Sequence, residues 1–158
     1  MRREFYEVQR FTQWWLWLIL IALALVPFYG IYQQVFLGNP FEEKPISDNG
    51  LIVFAIFMIL LLVFFGVLRL KTRMNKYKLS FSFYPFVKKN VKWEDVKNAK
   101  LVDYGFVGYG IRFSKFGKVY NAGGKLGLLI ELKNGRSFVI GTQKEDQLKE
   151  FLEGIPPA

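Results

Sequence analysis

The side chains best placed to do chemistry in this sequence are cations. Arg69, Lys71, Arg73, Lys76 and Lys78 recur at short intervals. Lys88, Lys89 and Lys92 follow, set among Phe83, Tyr84, Phe86 and Trp93. Lys and Arg at this density hold anions by charge: a lipid surface, a phosphate backbone or an acidic protein. A solvated surface would read the same way. Arg112 alternates with Ile111 and Phe113, so it should face away from a core, with Tyr109 close by in sequence. It suits either a partner contact or a cross-strand pair with an acid such as Glu131.

Material for catalysis is scarce. The chain has no Cys and no His. That removes thiolate nucleophiles, imidazole bases, His-based triads and the common metal ligands. No cluster of carboxylates offers a metal site instead. Glycines 105, 108, 110, 123, 124 and 127 superficially suggest a phosphate loop. No Gly-Lys-Ser/Thr follows them and none precedes a helix, so a nucleotide site is not expected. The reading is a non-enzyme without a cofactor.

What positions the cations is a pair of apolar stretches. Leu51 to Leu68 has no charge, no proline and no polar side chain. As a helix it would extend about 27 Å, close to the hydrocarbon thickness of a bilayer. A soluble helix keeps a polar face, and this one has none. Trp14 to Tyr32 forms a second such run, with Trp14, Trp15 and Trp17 at one end and Phe28, Tyr29 and Tyr32 at the other. Aromatics at both ends suit interface anchoring. Pro27 and Gly30 in its last turns should kink or end it. Ala22-Leu23-Ala24 resembles a signal-peptide cleavage site, but Glu4 and Glu7 precede the run and it continues past that site. Residues 37–49 carry turn signals at Gly38, Asn39-Pro40, Pro45 and Asp48-Asn49-Gly50. Two transmembrane helices joined by this short link should form a hairpin over residues 14–70. Basic residues on both flanks outweigh the acidic link, which places both termini in the cytoplasm. Ala22, Ala24, Ala55 and Gly66 are the small residues available for helix packing.

Residues 1–13 form a juxtamembrane segment. Phe5, Val8 and Phe11 recur at three-to-four spacing, which suggests a short amphipathic helix in the interface, or else a frayed tail. Residues 71–158 hold 17 Lys and Arg against 8 Asp and Glu, a basic cytoplasmic domain. Its pattern alternates: Leu79, Phe81 and Phe83 against Ser80, Ser82 and Tyr84. Lys88-Lys89-Asn90 reads as a turn. Lys115-Phe116-Gly117 reads as a hairpin, and Asn134-Gly135 as a two-residue type I′ turn. Thr142 and Glu145 match a capping box at the start of a helix whose stripe is Leu148, Phe151, Leu152 and Ile155. Gly154 and Pro156-Pro157 stop it. About seven strands and one helix favour a curled sheet or small barrel plugged by that helix. Residues 75–155 are expected to fold without the hairpin.

Several stretches carry a family likeness: Trp93-Glu94-Asp95-Val96, Tyr109-Gly110-Ile111-Arg112-Phe113, Tyr120-Asn121 with Gly123-Gly124, and Gly127 through Ile140-Gly141-Thr142-Gln143. Phe5 to Phe11 adds to it. The chain resembles the small bacterial membrane proteins with two helices and a cytoplasmic pleckstrin-homology-like (PH-like) domain. The resemblance spans nearly the whole chain and implies a fold and a place, the bacterial inner membrane. It implies no substrate, and no phosphoinositide-binding motif is present to carry over.

The resulting expectation is an α+β membrane protein. Its PH-like domain would present basic residues to a protein partner, itself included, or to anionic lipid headgroups. The alternative is an accessory subunit of a larger membrane complex, held through the hairpin. Nucleic acid is not an expected partner for a membrane-tethered domain.

Overall fold

The computed structural model describes residues 4–39, 46–105 and 108–154. The chain divides into two compact units: Thr12–Val67, and the residues up to Phe11 together with those from Leu68 onward. It is an α+β protein with, among the described residues, two apolar helices, nine strands and a C-terminal helix.

The apolar unit holds α1 (Trp14–Ile31), a π-helical extension (Tyr32–Phe36) and α2 (Asp48–Val67). Both helices are long and apolar enough to cross a membrane. They meet through narrow stripes: Leu20, Ala24, Pro27 and Gly30 on α1, Leu51, Ala55 and Met58 on α2. Of the small residues singled out, Ala24 and Ala55 lie in this seam, while Ala22 and Gly66 are exposed. Pro27 does not end α1. It lies on the packed stripe, inside a helix that continues four residues further. The polar ends are tied together, with Gln34 Nε2 donating to Asp48 Oδ1 at 2.6 Å and to the Ile46 carbonyl at 2.8 Å. Ser47 Oγ accepts the Gly50 N–H at 3.2 Å and so caps α2. Of the link's turn signals, Gly38 has positive φ and Asp48-Asn49-Gly50 is no turn but the first turn of α2, while residues 40–45 lie outside the described residues.

The second unit contains two sheets. The first has the order β1 (Glu4–Arg10), β2 (Arg69–Asn75), β3 (Lys78–Tyr84), β4 (Val87–Lys92), all antiparallel. The second has the order β5 (Val96–Asp103), β8 (Leu126–Leu132), β9 (Ser137–Gly141), β7 (Gly117–Asn121), β6 (Gly110–Ser114). All its pairs are antiparallel except β7 with β9. The sequence pattern predicts a curled sheet or small barrel of about seven strands. Two of the missing strands are instructive. Lys88-Lys89-Asn90 is no turn but the middle of β4, and the chain reverses one step earlier, where the Phe86 N–H reaches the Phe83 carbonyl at 2.8 Å. Residues 4–10 are no helix but β1.

β1 is the main correction. It precedes the apolar unit, yet it pairs with β2, which follows that unit, from Glu4 opposite Asn75 to Arg10 opposite Arg69. Its inward residues are Phe5, Glu7 and Gln9. Two of these are polar, so the alternation was invisible as hydrophobicity. They are satisfied by the far end of the chain. Glu7 accepts from the Thr142 hydroxyl and from the Gln143 N–H, both at 2.8 Å. Gln9 Nε2 donates to the Gly141 carbonyl at 2.6 Å. A fragment of residues 75–155 lacks β1 and all of β2 but Asn75, which counts against the expectation that it folds alone.

The Thr142–Glu145 capping box does not form either. Thr142 is engaged by Glu7, its Oγ1 accepts the Lys144 N–H at 3.0 Å, and α3 (Glu145–Glu153) starts from Lys144. Asn134-Gly135 closes a three-residue loop rather than a type I′ turn. Only Gly135 has positive φ, and the Leu132 N–H bonds the Arg136 carbonyl beyond it.

The core lies between the sheets. Phe81 of β3 meets Tyr120 of β7 and Phe138 of β9, with ring centroids 4.9 and 5.4 Å apart. Leu148 and Phe151 of α3 are buried, and Phe151 faces Phe5 and Trp93. The second sheet is apolar on both faces. Val119, Val139 and Leu129 form a row on its other side, closed by Tyr104. That is why β8 and β9 read as continuous apolar runs. The Tyr104 hydroxyl donates to the Gly124 carbonyl and accepts from Asn121 Nδ2, and burial raises its pKa. Gly127 is where β8 lies tightest against β9. A Cβ there would sit 2.7 Å from the Ile140 carbonyl oxygen and 2.9 Å from Tyr104 Cε1. Gly127→Ala should therefore cost about 1–3 kcal/mol, the usual cost of overpacking. Faster proteolysis of the variant, at unchanged rates for an exposed control such as Lys133→Ala, is the expected readout.

Candidate functional site

Strand alternation sorts the cations. In the first sheet Phe5, Leu70, Met74, Leu79, Phe81 and Phe83 point into the core. The residues between them must point out. The register then sets them in rows: Arg10–Arg69–Tyr84, Val8–Lys71–Ser82–Lys88, Tyr6–Arg73–Ser80–Asn90, and Lys78–Lys92. The outer face of one sheet thus carries Arg10, Arg69, Lys71, Arg73, Lys78, Lys88 and Lys92.

Acidic partners on this face are few among the described residues. Glu4 lies 3.3 Å from Arg73 and Glu94 lies 3.1 Å from Lys92. Both pairs are well exposed and contribute little stability. The hydrogen bond and charge of Glu94 raise the Lys92 pKa. Arg10 and Arg69 stand directly opposite one another. Like charges so placed are destabilising, and an external anion would relieve them. The Arg69 guanidinium lies 5.5 Å from the centre of the Tyr84 ring. Among the described residues, its buried Nε has no hydrogen-bond partner. Arg73, Asn75, Lys78 and Ser80 line a depression of about 330 Å³.

Other expected site residues lie elsewhere. Lys76 is in the β2–β3 turn, its Nζ 4.7 Å from the Tyr77 ring centre. Lys89 is on the inward register of β4, with Nζ 5.2 Å from the Phe138 ring and 5.7 Å from that of Tyr120. Tyr109 sits before β6, its ring edge-on to Phe11 at 6.4 Å. The Arg112–Glu131 pair is not formed. Arg112 lies opposite Val119 and its Nε donates to the Tyr109 carbonyl at 3.1 Å, while Glu131 accepts from Asn98. Those two residues are on strands at different positions of the sheet, β6 and β8. The segment from Tyr104 to Gly110 falls partly outside the described residues.

No protein-family model and no curated protein matches this chain. Arg10 is the site residue that sequence reasoning missed. The signal was present in its spacing from Glu4, Tyr6 and Val8, but it becomes readable only once Glu7 and Gln9 are known to face inward.

Proposed function

We propose that this chain is a membrane-anchored interaction module. Its two apolar helices form a transmembrane hairpin, and its PH-like domain lays a cationic sheet face against anionic lipid headgroups. The observation that carries the reading is the gathering of Arg10, Arg69, Lys71, Arg73, Lys78, Lys88 and Lys92 on one face. A broad, open array of point charges fits a surface of mobile headgroups better than one shaped ligand. The pairing of Arg10 with Arg69 supports the hairpin, because a segment flanked by two neighbouring strands begins and ends on the same side of a bilayer. The basic flanks favour the cytoplasmic side of a bacterial inner membrane. Two sheets closed by the buried Leu148 and Phe151 of α3 support the PH-like reading.

Each basic residue near an anionic surface contributes about 1 kcal/mol at modest salt. In nanodiscs, amine-reactive labelling of Lys71, Lys78 and Lys88 should be several-fold slower in anionic than in neutral lipid. High salt should abolish the difference. Equal labelling in both lipids would overturn lipid docking.

A further inference from the structure

β4 is the last strand of the first sheet, and among the described residues nothing pairs with its outer edge. A groove of about 760 Å³ runs beside it. One wall is Lys88, Lys89, Asn90 and Val91, four consecutive residues of the strand. Successive side chains of a strand point to opposite faces. A groove bordered by all four therefore lies along the strand's backbone edge, where unpaired N–H and C=O groups project. The opposite wall comes from the second sheet: Phe113, Lys118, Arg136 and Phe138.

The groove's charge has one sign. Lys88, Lys89, Lys118 and Arg136 line it, and among the described residues no acid does. Its apolar surface is aromatic. Phe113 is 76% exposed, with Lys118 Nζ 5.6 Å from its ring centre. A backbone edge needs a backbone partner, since lipid headgroups and nucleic acid do not offer alternating donors and acceptors at strand spacing. A second copy of β4 is a poor partner, because Lys88, Lys89 and Lys92 would meet their own like.

We propose that this groove binds an acidic, extended segment of a partner protein, which adds to the first sheet as a strand beside β4. Backbone pairing supplies the hold, alternate carboxylates meet Lys118 and Arg136, and the apolar side chains between them cover Phe113. The site does not rest on lipid docking by the outer sheet face, which uses other cations apart from Lys88.

The probe is a short fluorescent peptide of alternating glutamate and valine, added to the full chain in neutral detergent and read by anisotropy. Lys118 and Arg136 are both exposed, so K118E/R136E should leave the fold intact while weakening binding about tenfold or more. The variant K71Q/R73Q, on the outer face, should bind as wild type does. N-methylating either the valine or the glutamate nitrogens keeps the charge but blocks one edge of the peptide. One of the two modified peptides should lose about tenfold in affinity. The proposal is overturned if both modified peptides bind like the parent. It is overturned equally if K118E/R136E has no effect, if K71Q/R73Q weakens binding as much, or if a single-stranded oligonucleotide of equal charge displaces the peptide at lower concentration.

Discussion

Joining Phe11 to Leu68 through a short glycine-rich turn, with Thr12 to Val67 removed, should yield a soluble domain that unfolds cooperatively. The same domain without residues 4–10 should not fold. The two ends to be joined each lie one residue beyond the last pair of the β1–β2 ladder, Arg10 opposite Arg69, so a short turn can close them. Removing β1 takes away seven residues of ladder and Phe5, which is 1% exposed and faces Phe151. It also strips Glu7 from Thr142 and Gln143, and Gln9 from Gly141. Losing Phe5 alone is worth about 3–5 kcal/mol. A domain of this size has about 5–15 kcal/mol in total. The orphaned edge of β2 and the unpaired groups at the start of α3 bring the loss to the whole of that margin. Circular dichroism and thermal melts of the two proteins decide it. A cooperative melt for the version lacking β1, near the temperature of the joined domain, would show that β1 is an accessory strand.

What could be read from the sequence follows the physics of each segment. The apolar helices were legible because their signal is length and unbroken hydrophobicity, local properties that need no partner. The alternation of Leu79, Phe81 and Phe83 was legible for the same reason. β1 was not, because its inward positions hold Glu7 and Gln9, whose partners lie at Gly141 to Gln143. No window of neighbouring residues contains that information. The capping box failed by position: Thr142 Oγ1 donates to Glu7 and accepts the Lys144 N–H, but α3 begins at Glu145 with Lys144 before it, so Glu145 is the first helical residue and not the third. The basic face was half legible. Density of charge alone singled out Arg69, Lys71 and Arg73, but not the strand β2 that sets them on one face, and the turn assigned to residues 88–90 hid Lys88 as a member of the same sheet. Arg112 and Glu131 were paired by charge and spacing alone, and the strand order β5-β8-β9-β7-β6 separates them.

Glu7→Ala should lower domain stability by about 3 kcal/mol, more than any substitution on the cationic face. The carboxylate is 2% exposed and accepts two hydrogen bonds, from Thr142 Oγ1 and the Gln143 N–H. Hydrogen bonds to a charged group are worth about 1.5–3 kcal/mol each, and a buried donor left unpaired loses its full solvation. In a domain of this size that corresponds to a melting point lower by about 12–24 °C. Thr142→Val removes only one of the two bonds, and its Oγ1 contact to the Lys144 N–H, so it should cost less. Because both residues act through one bond, the double variant should be less destabilised than the sum of the two. Additivity within about 0.5 kcal/mol would mean that Glu7 and Thr142 act independently. The same variant tests how the two ends of the chain are joined. Glu7 lies before the apolar unit and Thr142 at the end of the last strand, so loosening it should release β1 and the start of α3 together. Hydrogen exchange should then quicken at Glu4–Arg10 and at Gln143–Leu148 in parallel, while β5 and β8 keep their protection. Faster exchange at α3 alone would show that β1 is held by its ladder with β2 and owes nothing to the carboxylate.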